Sequence, residues 1–188
     1  MATRPPSRRI PEAPVPARDW SGPPPTSLTF ELNGESVEVQ AASRTTLAEL
    51  LRLDLDRTGT KIVCDRGACG ACTVMVDGAP MNSCMMLAHD VEGRKVTTVE
   101  GLGEPEQLSA LQRAFVEHDA LQCGFCTSGM LISSAALLRK GGTVTEQQVK
   151  EAISGNLCRC GTYPHVVSAV MSVAKAGEAG KAGKAGQG

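Results

Sequence analysis

"CDRGACGACTVMVDGAPMNSC", residues 64–84, places cysteines at 64, 69, 72 and 84. The first three follow a C-x4-C-x2-C spacing with a fourth downstream, which is the plant-type [2Fe–2S] ligand pattern. A loop that wraps such a cluster must bring backbone N–H groups close to the sulfurs, where they offset negative charge. The small residues Gly67, Ala68, Gly70 and Ala71 leave room for that approach. Zinc ribbons use two C-x2-C knuckles, and the longer step from Cys64 to Cys69 fits them poorly. A cluster is the reading that this set supports best.

The flanking sequence describes a small α+β unit around that loop. In "LTFELNGESVEV", Leu28, Phe30 and Leu32 alternate with polar residues, as do Val37 and Val39. Asn33-Gly34 between the two runs favours the positive φ angles of a type I′ turn, so a β-hairpin is predicted. "TLAELLRLDL" places Leu47, Leu50, Leu51 and Leu55 on one helical face. "CTVMVDG" and "KVTTVEG" read as two more short strands, and Asp77-Gly78 as a turn. The unit ends near Gly101.

Beyond it the period becomes helical. "PEQLSALQRAFVEHD" lines up Leu108, Leu111, Gln112 and Phe115. "SGMLISSAALLRKGG" is a second helix stopped at Gly141-Gly142. Thr145 and Gln148 fit a capping box for a third, ending at Gly155. Thr162 and Pro164 open a fourth, "PHVVSAVMSVA". Four helices and no strands are expected here. The stretch from Lys175 on has Gly at nearly every third position and reads as too Gly-rich for a stable helix.

This helical half holds the other four of the eight cysteines, Cys123-x2-Cys126 and Cys158-x-Cys160. C-x-x-C alone is shared by redox sites and zinc knuckles. The C-x-C step is more informative, because residues i and i+2 of an extended chain point the same way. Both thiols would aim at one centre and Arg159 away from it. Cys126 lies just before one predicted helix, and Cys158 and Cys160 just before another. Two helix N-termini would therefore converge, each carrying partial positive charge that suits an anionic thiolate site. Spacing leaves a second [2Fe–2S] cluster, zinc and free thiols all open.

Composition narrows the function classes. Hydrophobic residues are 41% of the chain and aromatics only 3%, so two small cores would each gain from a metal staple. The net charge of −1 argues for no nucleic-acid partner. No run approaches the roughly 18 apolar residues of a membrane span. Arg8-Arg9 could begin a twin-arginine export signal, but "IPEAPVPARDW" has no apolar region. Residues 1–26 read as a disordered Pro/Arg-rich arm and the location as cytoplasmic, with the periplasm as the alternative. In a reducing compartment eight cysteines point to metal rather than disulfides. Gly101-Leu102-Gly103 is not a dinucleotide fingerprint, since Pro105 intervenes. His89, His118 and His165 lack metal-ligand spacing and read as surface or capping residues. Met75, Met81, Met85, Met86, Met130 and Met171 read as core filler. No nucleophile–base pair appears, so no catalytic residue is assigned.

Together, "CDRGACGACTVMVDG", "NSC", "ALQCGFCTSGM" and "SGNLCRCGTYP" resemble the small iron–sulfur subunit of molybdenum hydroxylases. That family includes the xanthine dehydrogenases, aldehyde oxidoreductases and CO dehydrogenases. The resemblance covers about residues 27–173. It implies a β-grasp, plant-type ferredoxin-like domain (27–102) followed by an all-α four-helix domain (103–173), with residues 174–188 a disordered tail. Each domain would hold one [2Fe–2S] cluster, the second on Cys123, Cys126, Cys158 and Cys160. It implies that Gln122 and Cys160 contact a molybdopterin cofactor on a large partner subunit, with FAD on a medium subunit of a heterotrimer. Electrons would pass from the molybdenum site through both clusters to the flavin. Ser128, "LTFELNG" and "AFVEHDALQCG" look most like bacterial aldehyde oxidoreductases, some of which are exported by the twin-arginine route. The substrate implied is an aldehyde, with a purine, another N-heterocycle or CO as alternatives. A tight interface is expected around Gln122, Gly124, Phe125, Arg159 and Cys160, with Phe125 either an interface residue or an ordinary core aromatic. The rivals from other classes are a stand-alone ferredoxin and a zinc-stapled binding module.

Overall fold

The structure is a computed structural model of the 188-residue chain, and it describes residues 23–104 and 106–185. The first hairpin pairs β1 (Thr26–Leu32) antiparallel with β2 (Glu35–Ala41). Asn33 and Gly34 both have positive φ, 53° and 92°, as a type I′ turn requires. The arm read over 1–26 lies outside the described residues up to position 22, and β1 already begins at Thr26.

Thr46 and Glu49 form a capping box that starts α1 (Leu47–Glu49), a feature not read from sequence. The helix then widens into a π-turn over Leu50–Asp54, and the Leu55 N–H reaches back to the Leu50 carbonyl at 3.1 Å. Leu47, Leu50 and Leu51 are buried as their spacing predicts, while Leu55 is only half-buried.

A second hairpin joins β3 (Thr73–Val76) to β4 (Ala79–Asn82) through Asp77-Gly78, again with both φ positive. The returning strand was missed because "APMN" has no alternation and contains Pro80. β4 tolerates proline because it lies at the edge of the sheet, where one side of its backbone needs no partner. β5 (Lys95–Thr97) completes a mixed sheet of order β2-β1-β5-β3-β4, parallel only between β1 and β5.

The helical half contains α2 (Ala110–Glu117), α3 (Thr127–Arg139), α4 (Glu146–Ile153) and α5 (Tyr163–Ala185). Thr145–Gln148 forms the predicted capping box, and Ser109–Gln112 forms another that was not read. Gln112 is therefore a cap rather than part of an apolar face. Gly141 and Gly142 end α3 with positive φ, as read. The reading that ended the last helix before Lys175 is corrected, since α5 continues to Ala185. Nucleation is the costly step of helix formation, and the packed segment from Tyr163 supplies it. Ala and Lys then propagate the helix at little cost despite the glycines.

Strand β3 joins the two halves. Val74 and Val76 face a core with Leu28, Phe30, Leu32, Leu47, Leu50 and Leu51. Met75, pointing the other way, is fully buried among Phe115, Met130, Ile132, Ile153 and Val166 of the helical core. Helix α3 covers that face of the sheet and is buried all round from Ser128 to Ala136. Not every methionine is core filler. Met81 on β4 and Met85 after it are exposed, at 40% and 64%. A second tie runs through Asn33. Its Oδ1 accepts from the Thr98 N–H at 2.9 Å, and its Nδ2 donates to Thr98 Oγ1 at 3.0 Å, fixing the connector to the helices.

Candidate iron–sulfur sites

The first cysteine loop is shaped by left-handed residues. Asp65, Gly67 and Gly70 have φ of 52°, 72° and 69°. This turns main-chain N–H groups inward, so that Gly67 donates to Cys84 Sγ and Ala68 to Cys64 Sγ, each at 3.3 Å. The loop is closed by Asn82 Nδ2 donating to the Gly67 carbonyl (3.0 Å) and Ser83 Oγ donating to the Cys72 carbonyl (2.6 Å). Cys72 and Cys84 are buried with Ala48 against the half-buried Ile62, and Cys64 and Cys69 are half-buried. The Arg66 N–H and the Cys69 thiol bring Cys64 down to about 7. Burial, with the Cys72 thiol, pushes Cys84 up to about 11. Gly67 and Ala68 thus serve as expected. Gly70 has another task, because a Cβ there would strike the Gly155 carbonyl of the helical half.

The second site is built at two helix starts. Cys126 is the N-cap of α3, and Cys158 and Cys160 precede α5. The Cys158 N–H donates to the Tyr163 hydroxyl at 2.8 Å, and the Thr162 hydroxyl lies 3.3 Å from Cys158 Sγ. Burial raises the Cys158 thiol, but hydrogen bonds from Thr162 and the Cys126 thiol more than offset this and leave it at about 7. Burial and the Cys158 partner push Cys126 up to about 12. At Cys160 the Cys123 N–H acts downward, yet the Cys123 thiol and desolvation prevail and raise it. Tyr163 and Thr162 were not singled out as site residues from sequence, which marked Thr162 only as a helix opener.

Within each set neighbouring thiols act on one another: Cys69 on Cys64, Cys72 and Cys64 on Cys84, Cys158 and Cys123 on Cys126, and Cys123 and Cys158 on Cys160. A two-iron cluster takes two thiolates per iron, and each set supplies four.

The two sites differ in exposure. Cys123 and Cys160 are exposed, and so are Gln122, Phe125, Leu157 and Arg159 around them. Phe125 is 57% exposed, which removes the reading of it as a core aromatic. A cleft of about 460 Å³ beside Cys123 is lined by Gly124, Phe125, Arg52, Lys61 and Ile62. Two histidines make structural contacts: His89 Nε2 lies 3.2 Å from the Ala41 carbonyl, and His165 Nδ1 lies 2.9 Å from the His118 carbonyl at the end of α2.

Comparison with known proteins agrees with this division. A 2Fe-2S iron-sulfur cluster binding domain family matches residues 30–97, and a [2Fe-2S] binding domain family matches residues 98–171. The iron–sulfur-binding subunit of aldehyde oxidoreductase from Escherichia coli K12 is 41% identical over 162 residues, covering 78% of this chain and 71% of that one. The small subunit of nicotine 6-hydroxylase from Paenarthrobacter nicotinovorans is 49% identical over 144 residues, covering 77% and 87%. Quinoline 2-oxidoreductase from Pseudomonas putida 86 superposes with a TM-score of 0.75 at 42% identity, covering 83% of this chain and 99% of that one. With two cluster domains in this order and relatives that match along most of their length, the chain belongs to the small [2Fe–2S] subunits of the molybdenum hydroxylase family, the electron-transfer components of multi-subunit molybdenum-cofactor oxidoreductases.

Proposed function

We propose that Cys64, Cys69, Cys72 and Cys84 hold one [2Fe–2S] cluster and Cys123, Cys126, Cys158 and Cys160 the other. When bound, the clusters supply one-electron storage at two positions; the chain supplies thiolates, N–H donors and a fixed spacing. Gln122 and Cys160 face the molybdopterin of the large subunit, and a flavin subunit takes the electrons further. The observation that carries this orientation is the contrast in exposure. The helical-half site opens at a surface with Leu121, Phe125 and Leu157, whereas half of the first set is buried. An exposed apolar patch around a charged site suits a partner that covers it.

The substrate is an aldehyde on this reading, supported by the motif variants around Ser128 and by the aldehyde oxidoreductase relative. An N-heterocycle is the second reading, supported by the nicotine and quinoline relatives. The proposed location is the cytoplasm, with the periplasm as the alternative. Among the described residues no helix is long and apolar enough to cross a membrane. Co-purification with native partners tests the whole assignment. Iron, molybdenum and flavin in one complex, with turnover of aldehydes over N-heterocycles, is the expected result. A complex lacking molybdenum would overturn it.

A further inference from the structure

The two cysteine sites touch through main chain. The Leu157 N–H donates to the Cys69 carbonyl at 2.9 Å, so a residue adjoining Cys158 is bonded directly to a residue of the other set. Leu157 itself is 58% exposed, so its side chain does little to hold this bond in place.

Its neighbour does. Asn156 is 2% exposed and every polar atom it carries is used. Its Nδ2 donates to the Gly70 carbonyl at 2.9 Å and to Thr73 Oγ1 at 3.3 Å. Its Oδ1 accepts from Ser133 Oγ of α3 at 2.8 Å. Its N–H donates to the Ile153 carbonyl at 2.9 Å, and its carbonyl accepts from the Tyr163 hydroxyl at 3.1 Å. That same hydroxyl takes the Cys158 N–H. One residue therefore links three parts: its side chain reaches the first cysteine loop and α3, and its main-chain carbonyl reaches the start of α5 through Tyr163.

The chemistry of the partners selects an amide. A carbonyl can only accept, so a donor must face Gly70. A hydroxyl on the other side supplies the proton for Oδ1. Aspartate would set oxygen against oxygen in a buried place, and alanine would leave the Ser133 hydroxyl without its acceptor.

We propose that Asn156 is the positioning residue that sets the contact between the two cluster sites, by holding the Cys69 carbonyl against the Leu157 N–H. This rests on the assignment of the two cysteine sets to two clusters. The role is distinct from core packing: the side chain acts on the distance and orientation between sites rather than on either ligand set.

The test uses the full chain, reduced with dithionite, and reads the spin–spin interaction between the two clusters by EPR. Iron content and the separate signal of each cluster are recorded first. A chain with about two iron atoms, or with one signal, overturns the cluster assignment and not the role of Asn156. With both clusters present, Asn156→Ala and the isosteric Asn156→Asp lose the interaction splitting. Ser133→Ala, which removes a partner of Asn156 but leaves its bond to Gly70, keeps the splitting while lowering Tm. An Asn156 variant that lowers Tm and retains the wild-type splitting overturns the proposal. If neither Asn156 variant retains iron, hydrogen exchange of the wild-type chain decides. A Leu157 amide as slow as the core amides of α3 supports the clamp, and a rapidly exchanging one overturns it.

Discussion

Gly129 and Gly70 are in contact across the two halves of the molecule, the Gly70 carbonyl oxygen occupying the place where Gly129 would carry a Cβ. Helix α3 can lie against the first cysteine loop only because this position has no side chain. Gly129→Ala sets a methyl group against the Gly70 carbonyl, a backbone group with no flexible end to give way. It should lower stability by about 1–3 kcal/mol, the usual range for overpacking, and by more if the loop is displaced. Gly177→Ala is the contrast. It lies in α5 with open space around it and should stabilise by about 0.5–1 kcal/mol. Denaturant unfolding of the two variants should shift the midpoint in opposite directions; a shift of the same sign would contradict the packing described.

Loss of the first site should not stay local. Met75 of β3 sits in the helical core, and Asn156 of the helical half is bonded to Gly70. Cys72→Ala should halve the iron content and melt both halves in one cooperative transition, because metal-binding free energy is folding free energy here. Two separate transitions, seen by far-UV circular dichroism and by the visible absorption of the remaining cluster, would show that the halves fold independently.

Phe125 should matter to the complex and not to the chain. At 57% exposure it adds little to the fold, so Phe125→Ser should change stability within about 0.5 kcal/mol and keep both clusters. An exposed aromatic at a covered patch can contribute about 2 kcal/mol or more to association. Binding to the molybdenum subunit should weaken accordingly in a titration with the purified partner. Unchanged affinity would move the interface elsewhere.

Acid should weaken the second hairpin through Asp77. The Lys95 N–H and the Arg94 guanidinium hold its carboxyl below the ordinary value of 3.8. A group with a lowered folded pKa contributes in full above its unfolded value and loses that contribution as pH falls through the folded one. The Tm difference between wild type and Asp77→Asn should therefore be constant above the ordinary carboxylate range and shrink below it. A difference that grows toward acid pH would reverse the sign argued here.

Much of this protein was legible in its sequence because it is encoded locally. Cysteine spacing separated two sets of four. Asn33-Gly34 marked a hairpin turn, and Asp77-Gly78 a turn though not its hairpin, because few residues tolerate positive φ. Thr145 with Gln148, and Gly141-Gly142, marked helix ends because caps are short-range hydrogen bonds and backbone conformations. What tertiary structure alone decided concerns surfaces brought together over long separations. Burial is non-directional, so the apolar character of Met75 said that it would be buried and not that the helical half would bury it. Phe125, equally apolar, is left outside. Gly67 and Gly70 look alike in the cysteine loop, yet one turns an N–H toward sulfur and the other admits the Gly155 backbone. Asn156 stands beside a cysteine motif with no local sign of its task, because its partner Gly70 is 86 residues away and becomes a neighbour only when α3 packs on β3.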